Sequence, residues 1–365
     1  MNNENMLLSD NLTVGYGKKI VVDGLSFEIK RGQILTIIGA NGAGKSTVLK
    51  TIIAQIPIIK GKISLCGRNL KDMGKKDIAK DMSVLLTEKI TAERMTCGDV
   101  VATGRYPYTN IFGVLDEKDK EIVKSSMEMT SSYELYEKDF GCISDGQRQC
   151  VMLARAIAQE PNVMLLDEPT SFLDISHKMQ ILSMLRKLAR KKETAVIQSL
   201  HELDMAQKYS DMILCIKDGK ADKIGTPEEI FKGDYIEKLY GIKDGSYNTM
   251  YAAAEAEKIV GNVKVFVIGG GGSTIPIYRK LQREGIVFAA GVIHKNDVEY
   301  PIANALAMEI IEEEAFESIS EKNIERAVKI IEKCDKVICA IEKFGTMNDG
   351  NRILYERAKE TGKLS

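Results

Sequence analysis

The chain has 365 residues, of which 44% are hydrophobic and 28% are charged, and its net charge is −1 at neutral pH. These values are ordinary for a globular protein of two or three domains, and they exclude recruitment to nucleic acid or an acidic membrane surface by bulk charge. The seven cysteines are scattered singly, which indicates reduced thiols in a cytosolic protein rather than disulfides or a zinc site. No apolar run approaches the roughly 20 residues that cross a bilayer, and the start, Met1–Asn5, lacks the features of a signal peptide.

The first segment, residues 7–38, predicts short strands connected by turns. Within it, Tyr16 stands between Gly15 and Gly17 in a predicted loop. An aromatic ring in such a loop can stack on a base such as adenine, and it can equally be part of an ordinary surface. The residues alone favour neither interpretation.

A glycine-rich loop follows the apolar strand 34–38 and precedes an apolar-periodic helix that starts at Ser46. The loop has the spacing G-x-x-x-x-G-K-[ST] in a strand–loop–helix setting, which is typical of a phosphate-binding loop. Glycines let backbone N–H groups turn inward around anionic oxygens, and the helix directs its positive end at the same phosphates. Lys45 would contact the β- and γ-phosphates, and the Ser46 hydroxyl would hold Mg²⁺. The candidate nucleotide-binding residues are Gly39, Ala40, Asn41, Gly42, Ala43, Gly44, Lys45, Ser46 and Thr47.

Residues 99–136 predict helices, interrupted at Gly104–Tyr108 because Pro107 breaks the periodicity. The tyrosines of this break form either a contact site or the packing of an inter-helix turn. A clear helix follows at 150–159, and the polar residues before it, Ser144 and Asp145, are good N-cap types. The simplest interpretation of that stretch is a helix cap.

A continuous apolar run, Val163–Leu166, predicts a strand buried on both faces of a parallel sheet. It ends in Asp167 and Glu168, and two carboxylates at the end of a buried strand are costly unless they are paired, hydrated or bound to metal. We expect Asp167 to support Mg²⁺ and Glu168 to act as the general base for an attacking water. His201 follows the next predicted strand, 194–199, where it would face water, cap a helix or contact the γ-phosphate.

The region 241–251 predicts a linker, and 252–259 has a helical pattern. Strand 263–268 then leads into the loop Gly269–Thr274, and the alternation of strands and helices that follows predicts a small parallel-sheet domain. A phosphate-binding loop and a tight glycine turn without a ligand are equally compatible with this loop. His294, Asn296 and Asp297 follow the second strand and would line the same cleft.

Three motifs occur in the order found in ATP-binding subunits of ABC transporters. GANGAGKST at 39–47 matches Walker A, ISDGQRQ at 143–149 resembles the LSGGQ signature, and VMLLDEPT at 163–170 matches Walker B. The first 250 residues therefore resemble an ABC ATPase. The resemblance implies an α/β fold with a RecA-like core, a β subdomain and a helical subdomain at about 88–158. Residues 251–365 lie outside it and are interpreted as a small Rossmann-like domain with a regulatory or ligand-sensing role.

The resemblance also implies roles for residues that the pattern alone leaves open. Tyr16 would stack on adenine, Asp174 would belong to the D-loop after Walker B, and His201 would be the switch histidine beside the catalytic Glu168. The signature residues would face the ATP of a second copy in a head-to-tail homodimer. These residues are Ser144, Asp145, Gly146 and Gln147.

The partners that the resemblance implies are two membrane-spanning permease subunits and a substrate-binding protein, with no nucleic acid. The chain would hydrolyse ATP with Mg²⁺ at the cytoplasmic face of the membrane and contact the membrane only through the permease. GRYPY at 104–108 resembles a segment of importer ATPases for iron–siderophores, haem and cobalamin. The alternatives are a soluble ABC-type ATPase that acts on nucleic acid or ribosomes, and an enzyme whose chemistry lies in the C-terminal domain.

The sequence departs from the family pattern at two positions. Asp145 stands where the signature usually has glycine, and its charge would oppose a nearby phosphate. The Q-loop glutamine is missing, and Glu88 is the residue we place there as a further ligand of Mg²⁺ or of a water.

Overall fold

The computed structural model describes residues 5–86, 94–110, 113–171 and 173–365. The chain divides into two compact units, Met1–Tyr240 and Gly241–Ser365. Across the described ranges, none of the helices combines the length and the apolar character that crossing a membrane requires.

The described strands of the first unit form one ten-stranded sheet. Its spatial order is β5-β4-β1-β2-β10-β9-β3-β8-β7-β6. The strands are β1 (Asn5–Tyr16), β2 (Lys19–Lys30), β3 (Ile34–Ile38), β4 (Lys60–Leu65), β5 (Arg68–Asn69), β6 (Met82–Leu85), β7 (Val163–Asp167), β8 (Ala195–Ser199), β9 (Met212–Lys217) and β10 (Lys220–Gly225).

The sheet has a parallel half and an antiparallel half. Strands β9, β3, β8, β7 and β6 are parallel neighbours, and β3, β7 and β8 are buried along their whole length, as their continuous apolar runs predict. Strands β1, β2, β4 and β5 pair in antiparallel fashion. Instead of the short strands expected at the start of the chain, β1 and β2 each have 12 residues, because bulges let their pairing continue through irregular positions.

Helices flank the parallel half and build a separate helical segment within residues 94–158. The α-helices of this unit are α1 (Lys45–Ile52), α2 (Lys75–Asp81), α3 (Cys97–Ala102), α4 (Glu117–Met129), α5 (Asp145–Ala158), α6 (Ile175–Lys192), α7 (Leu203–Tyr209), α8 (Pro227–Ile230) and α9 (Tyr235–Tyr240). Short 3₁₀ turns lie at Leu70–Asp72, Thr103–Arg105, Tyr133–Leu135 and Phe140–Cys142.

Buried Arg105 connects the helices of the helical segment. Its Nε donates to Asp119 Oδ1 of α4 at 2.8 Å, and its Nη1 donates to the Ala158 carbonyl at the end of α5 at 2.7 Å. The guanidinium also lies 4.2 Å from the centre of the Tyr108 ring. Packing of the inter-helix turn is therefore part of what the GRYPY residues do, although Tyr106 remains 70% exposed.

The second unit is a small α/β sandwich around a four-stranded parallel sheet of order β15-β14-β13-β16. A hairpin of β11 and β12 precedes it, so the helix expected at 252–259 is wrong; β12 instead pairs with β11, and Arg279 holds its last residue, Glu255, in an ion pair. The strands are β11 (Ser246–Asn248), β12 (Ala253–Glu255), β13 (Val265–Ile268), β14 (Phe288–His294), β15 (Glu309–Glu313) and β16 (Lys336–Cys339). The helices are α10 (Ile275–Arg283), α11 (Tyr300–Leu306), α12 (Glu321–Lys333) and α13 (Gly350–Glu360).

We expect Arg105→Met to lower the free energy of unfolding of the first unit by about 3 kcal/mol. The change leaves the mostly buried Asp119 carboxylate without its guanidinium partner, and breaking one side of a buried pair has that magnitude. Urea unfolding measures it. Arg31→Met is the control, because the exposed Arg31–Glu193 pair is worth about 0.5 kcal/mol or less. Equal losses in the two variants would contradict the assigned role of Arg105.

Candidate functional site

The loop between β3 and α1 depends on glycines at two points of close approach. Gly39 and Gly44 have φ values of 153° and 106°, which favour glycine. A Cβ added at Gly39 would lie 2.4 Å from the Ile216 carbonyl oxygen, and one at Gly44 would lie 2.6 Å from Val22 Cγ2. The loop can therefore lie this close to β9 and β2 only because both side chains are absent.

Lys45 is buried inside this loop. Its Nζ donates to the carbonyl oxygens of Gly39 at 2.8 Å and Ala40 at 3.3 Å. Burial lowers the pKa of Lys45, while the nearby carboxylates of Glu168 and Asp167 raise it. The ammonium group thus lies in the electric field of both acids that end β7.

A serine that sequence reasoning missed fixes the two acids. Ser199, at the end of β8, pairs in register with Asp167 of β7. Its hydroxyl donates to Asp167 Oδ1 at 2.7 Å and accepts the Glu168 N–H at 2.9 Å. In the sequence, Ser199 is only a polar residue at the end of an apolar strand. That pattern does not identify the groups to which its hydroxyl is bonded.

Glu168 and His201 are brought into direct contact. The Glu168 backbone has φ of 51°, and its carboxylate accepts from the Ser171 hydroxyl at 2.9 Å. The other carboxylate oxygen lies 2.5 Å from His201 Nε2. Both side chains are partly open to solvent, so a solvent-accessible carboxylate and imidazole lie together at the carboxyl edge of the sheet, next to the glycine loop.

The donor types at this edge suit Mg²⁺. This ion prefers oxygen ligands and is commonly held by one or two carboxylates together with substrate phosphates. Asp167 supplies a buried carboxylate and Ser46 a hydroxyl. Within the described ranges, no three His, Cys, Asp or Glu side chains gather as metal ligands. Glu88, the further ligand expected from the sequence, lies outside the described residues.

Tyr16 ends β1, opposite Lys19 of the adjoining strand. Tyr16 as a residue is 54% exposed, so its side chain is accessible for stacking. A second tyrosine that the sequence did not single out touches the glycine loop. Tyr240, at the end of α9, accepts the Gly39 N–H through its hydroxyl at 3.3 Å, and burial raises its pKa to about 12.

The signature residues form a helix cap. Ser144 Oγ accepts the Gln147 N–H at 3.3 Å, and Gln147 Oε1 accepts the Ser144 N–H at 3.1 Å, the reciprocal pattern of a capping box. Asp145 is exposed, and its Oδ1 lies 4.0 Å from Arg148 Nη1. Gly146 packs toward Leu173, where an added Cβ would make ordinary contact at 3.4 Å. The cap leaves the Asp145 side chain facing solvent.

Asp174 also caps a helix. Its Oδ1 accepts the His177 N–H at 2.9 Å at the start of α6, and its Oδ2 lies 2.8 Å from His177 Nδ1. These hydrogen bonds lower the pKa of Asp174, with the backbone N–H of His177 as the largest cause. The carboxylate therefore stays charged at the beginning of α6, where the helix dipole also favours it.

The glycine loop of the second unit is occupied by the carboxylates of its own chain. Asp297 Oδ2 accepts the Gly271 N–H at 2.8 Å, and the fully buried Glu299 accepts the Thr274 N–H at 3.1 Å. Burial raises the pKa of Glu299. Because these amides already bind internal acceptors and an anion would meet Asp297, the geometry favours the tight-turn interpretation over a phosphate site.

The fold and the site are those of a nucleotide-binding ATPase. Comparison with known proteins agrees with this class. Residues 22–171 match the ABC transporter family, and residues 288–364 match the MJ0874 family. A Methanocaldococcus jannaschii ABC transporter ATP-binding protein, MJ0873, is 46% identical over 277 residues, which are 76% of this chain and 96% of that protein. The iron(3+)-hydroxamate import ATP-binding protein FhuC of Bacillus subtilis is 36% identical and covers 65% of this chain and 88% of its own.

Two further comparisons extend this result. The cobalamin import ATP-binding protein BtuD of Halobacterium salinarum is 28% identical over 78% of this chain and 72% of its own. A solved inward-facing transporter of the metal-chelate type matches with a TM-score of 0.57 at 26% identity, over 64% of this chain and 88% of that one.

The chain belongs to the ATP-binding proteins of ABC transporters. The comparisons confirm the expected family, the ABC ATPase fold with an additional C-terminal α/β region, and the assignment as an ATPase that binds ATP. The C-terminal region, which lies outside the family resemblance, has its own family match.

We expect Ser199→Ala to lower the free energy of unfolding by about 2 kcal/mol and also to slow ATP turnover. The Glu168 N–H loses its acceptor and Asp167 Oδ1 loses its donor, and each hydrogen bond typically contributes about 1 kcal/mol. Ser210→Ala is the control, because it removes a partly buried serine hydrogen bond, between Ser210 and Thr36 at 2.5 Å, away from the acids. Thermal unfolding and phosphate release measure both variants. Equal slowing by the control would contradict a positioning role for Ser199.

Proposed function

We propose that this chain powers an ABC importer for a metal chelate, of the iron–siderophore, haem or cobalamin class. The observation that supports ATP hydrolysis is the edge where Lys45, Asp167, Glu168 and His201 meet. The cargo class is supported by relatives with printed names, including the ferric enterobactin transport protein FepC of Escherichia coli, 36% identical over 88% of its length. An ATPase subunit does not itself contact the cargo, so the class rests on these relatives.

Nucleotide binding requires an exchange of partners in the glycine loop. The β- and γ-phosphate oxygens replace the carbonyl oxygens of Gly39 and Ala40 as acceptors for Lys45, and the loop amides and the start of α1 add further donors. The exposed ring of Tyr16 stacks on adenine. Ser46 and Asp167 would hold Mg²⁺ together with phosphate oxygens, and the ion would supply positive charge next to the phosphates.

Hydrolysis uses Glu168 as the general base. A water transfers a proton to the Glu168 carboxylate while its oxygen bonds to the γ-phosphorus, and the bond between that phosphorus and the bridging oxygen breaks to leave ADP and phosphate. His201 orients the carboxylate through its 2.5 Å contact, and Ser171 orients the other oxygen.

We expect Glu168→Gln to keep ATP binding and to lower the hydrolysis rate by about 10²- to 10⁴-fold, the usual contribution of a general base. Binding of a fluorescent ATP analogue and release of phosphate measure the two effects separately. Lys45→Ala is the contrasting variant, since it should lose binding itself. Undiminished hydrolysis in Glu168→Gln would remove Glu168 as the base.

The active form that we propose is a head-to-tail homodimer, in which Ser144–Gln147 of each copy faces the ATP held by the other. Asp145 then places a negative charge near phosphate, and Arg148 at 4.0 Å offsets it only in part. The dimer should therefore close less tightly than one with glycine at this position.

We expect Asp145→Gly, in the Glu168→Gln background, to tighten the ATP-dependent dimer about fivefold, the effect of removing roughly 1 kcal/mol of repulsion. Sedimentation with ATP measures the dimer constant, and Asp145→Asn separates charge from side-chain size. Glu117→Gly is a matched control. Like Asp145, Glu117 is the first residue of a helix and forms an ion pair with the basic residue three positions later, Lys120. No change in Asp145→Gly would mean that its side chain points away from the phosphate.

The permease is proposed to dock on the groove between the end of α1, α2, β6 and α5. The groove has a volume of about 350 Å³. Tyr108 lies at its edge, because its hydroxyl donates to the Gln159 carbonyl at 3.0 Å, and the exposed ring of Tyr106 is nearby in sequence. The groove is lined by Ile53, Ala54, Lys75, Ile78, Ala79, Met82, Val84, Arg155 and Gln159.

Affinity purification of the native chain from solubilised membranes tests the proposed function. We expect a polytopic permease in stoichiometric amount, together with a substrate-binding protein when cargo is present, and location at the cytoplasmic face of the membrane. Ala79→Arg, which fills the groove, should reduce permease recovery while ATP binding is kept. Ribosomal or nucleic-acid partners, or a purely soluble pool, would instead favour an ABC-type ATPase that is not tied to transport.

A further inference from the structure

A second groove of the first unit has no part in the chemistry or in the proposed permease contact. It has a volume of about 520 Å³ and lies between the end of α4 and one face of α6. The lining residues of α6 recur at helical spacing, so a single stripe of this helix forms one wall. Gln180 Nε2 donates to Ser131 Oγ at 3.0 Å and connects the two walls.

The floor of the groove is apolar and adaptable. Met129 of α4 is 38% exposed, and Met184 and Leu188 of α6 line the same groove. Methionine side chains adjust to irregular partners and are common on surfaces that bind peptides. A surface of this kind favours burial of large apolar side chains.

The rim of the groove is cationic. Lys187, Lys191 and Lys192 line it, and within the described part of the chain these lysines have no carboxylate partner at ion-pair distance. The helix dipole favours Lys191 and Lys192, which lie in the last turn of α6. It does not account for Lys187, which is one turn earlier, and like charges at the spacing of Lys187 and Lys191 destabilise a helix slightly.

We propose that this groove is a docking site for an acidic amphipathic peptide segment of a partner protein. The occupant places apolar side chains on Met129, Met184 and Leu188 and carboxylates against Lys187 and Lys191. The lysines of the rim favour an anionic partner. The concave methionine floor favours a protruding peptide segment over a membrane, because a flat bilayer surface would leave that floor unfilled. The same floor lacks the aromatic or arginine side chains that stack on nucleic-acid bases.

The proposal can be tested by titrating the full chain into a fluorescently labelled helical peptide and measuring the anisotropy. The peptide carries four glutamates, together with a Phe and a Leu at positions four residues apart. We expect saturable binding that weakens with added salt, and about tenfold weaker binding for the double variant Lys187→Glu and Lys191→Glu, since two attractive contacts become repulsive. Met184→Ala should weaken binding without any change in salt dependence. Circular dichroism and thermal unfolding confirm that each variant is folded.

The matched control is Lys329→Glu with Lys333→Glu, because these exposed lysines have the same spacing on α12 and no ion-pair partner among the described residues. This control and Lys45→Ala should bind the peptide as the native chain does. Equal binding of a peptide with lysines in place of the glutamates would overturn the proposal. Unchanged binding by the Lys187/Lys191 variant would overturn it too, as would binding only to vesicles with 30% anionic lipid.

Discussion

The Ser199 hydroxyl holds together the chemistry of this protein. It bonds the side chain of Asp167 and the backbone of Glu168 at the same time, which is possible only because β7 and β8 are parallel neighbours that end at the same level. Glu168 adopts a backbone conformation that non-glycine residues seldom take, and this hydrogen bond holds it there. The carboxylate then points at His201, away from the strand that carries it. One short side chain at the end of β8 thus fixes two consecutive acids at the end of β7, one through its carboxylate and the other through its backbone.

The sequence predicts the elements of this edge well because each is local. A glycine loop between a strand and a helix, and two acids after an apolar strand, are patterns within ten residues. Ser199 and Tyr240 escape prediction because their partners lie 31 and 201 residues away in sequence. The hairpin strand Ala253–Glu255 escapes for a related reason, since pairing with β11 and the Arg279 ion pair override its helical pattern.

The two glycine loops of the chain show how little a motif decides without its neighbours. Both follow a buried parallel strand and precede a helix. In the first unit the loop surrounds Lys45, and a metal ion can neutralise the charge of the nearby acids. The charges there therefore favour an anion. In the second unit the Asp297 and Glu299 carboxylates already bind the loop amides. Two glycine loops in the same strand–loop–helix setting therefore present opposite charge environments, a lysine in the first unit and two carboxylates in the second.

The hydrogen bonds that Lys45 makes to the Gly39 and Ala40 carbonyls bear on the heat of nucleotide binding. In the proposed nucleotide complex, each phosphate contact of this ammonium would replace a hydrogen bond that already exists, so it would add little enthalpy. These bonds also hold the loop together without a nucleotide, which would limit the conformational entropy lost on binding. The binding enthalpy measured by calorimetric titration should therefore be smaller than the number of contacts in the complex suggests. Preorganisation of the loop would then contribute a larger share of the affinity.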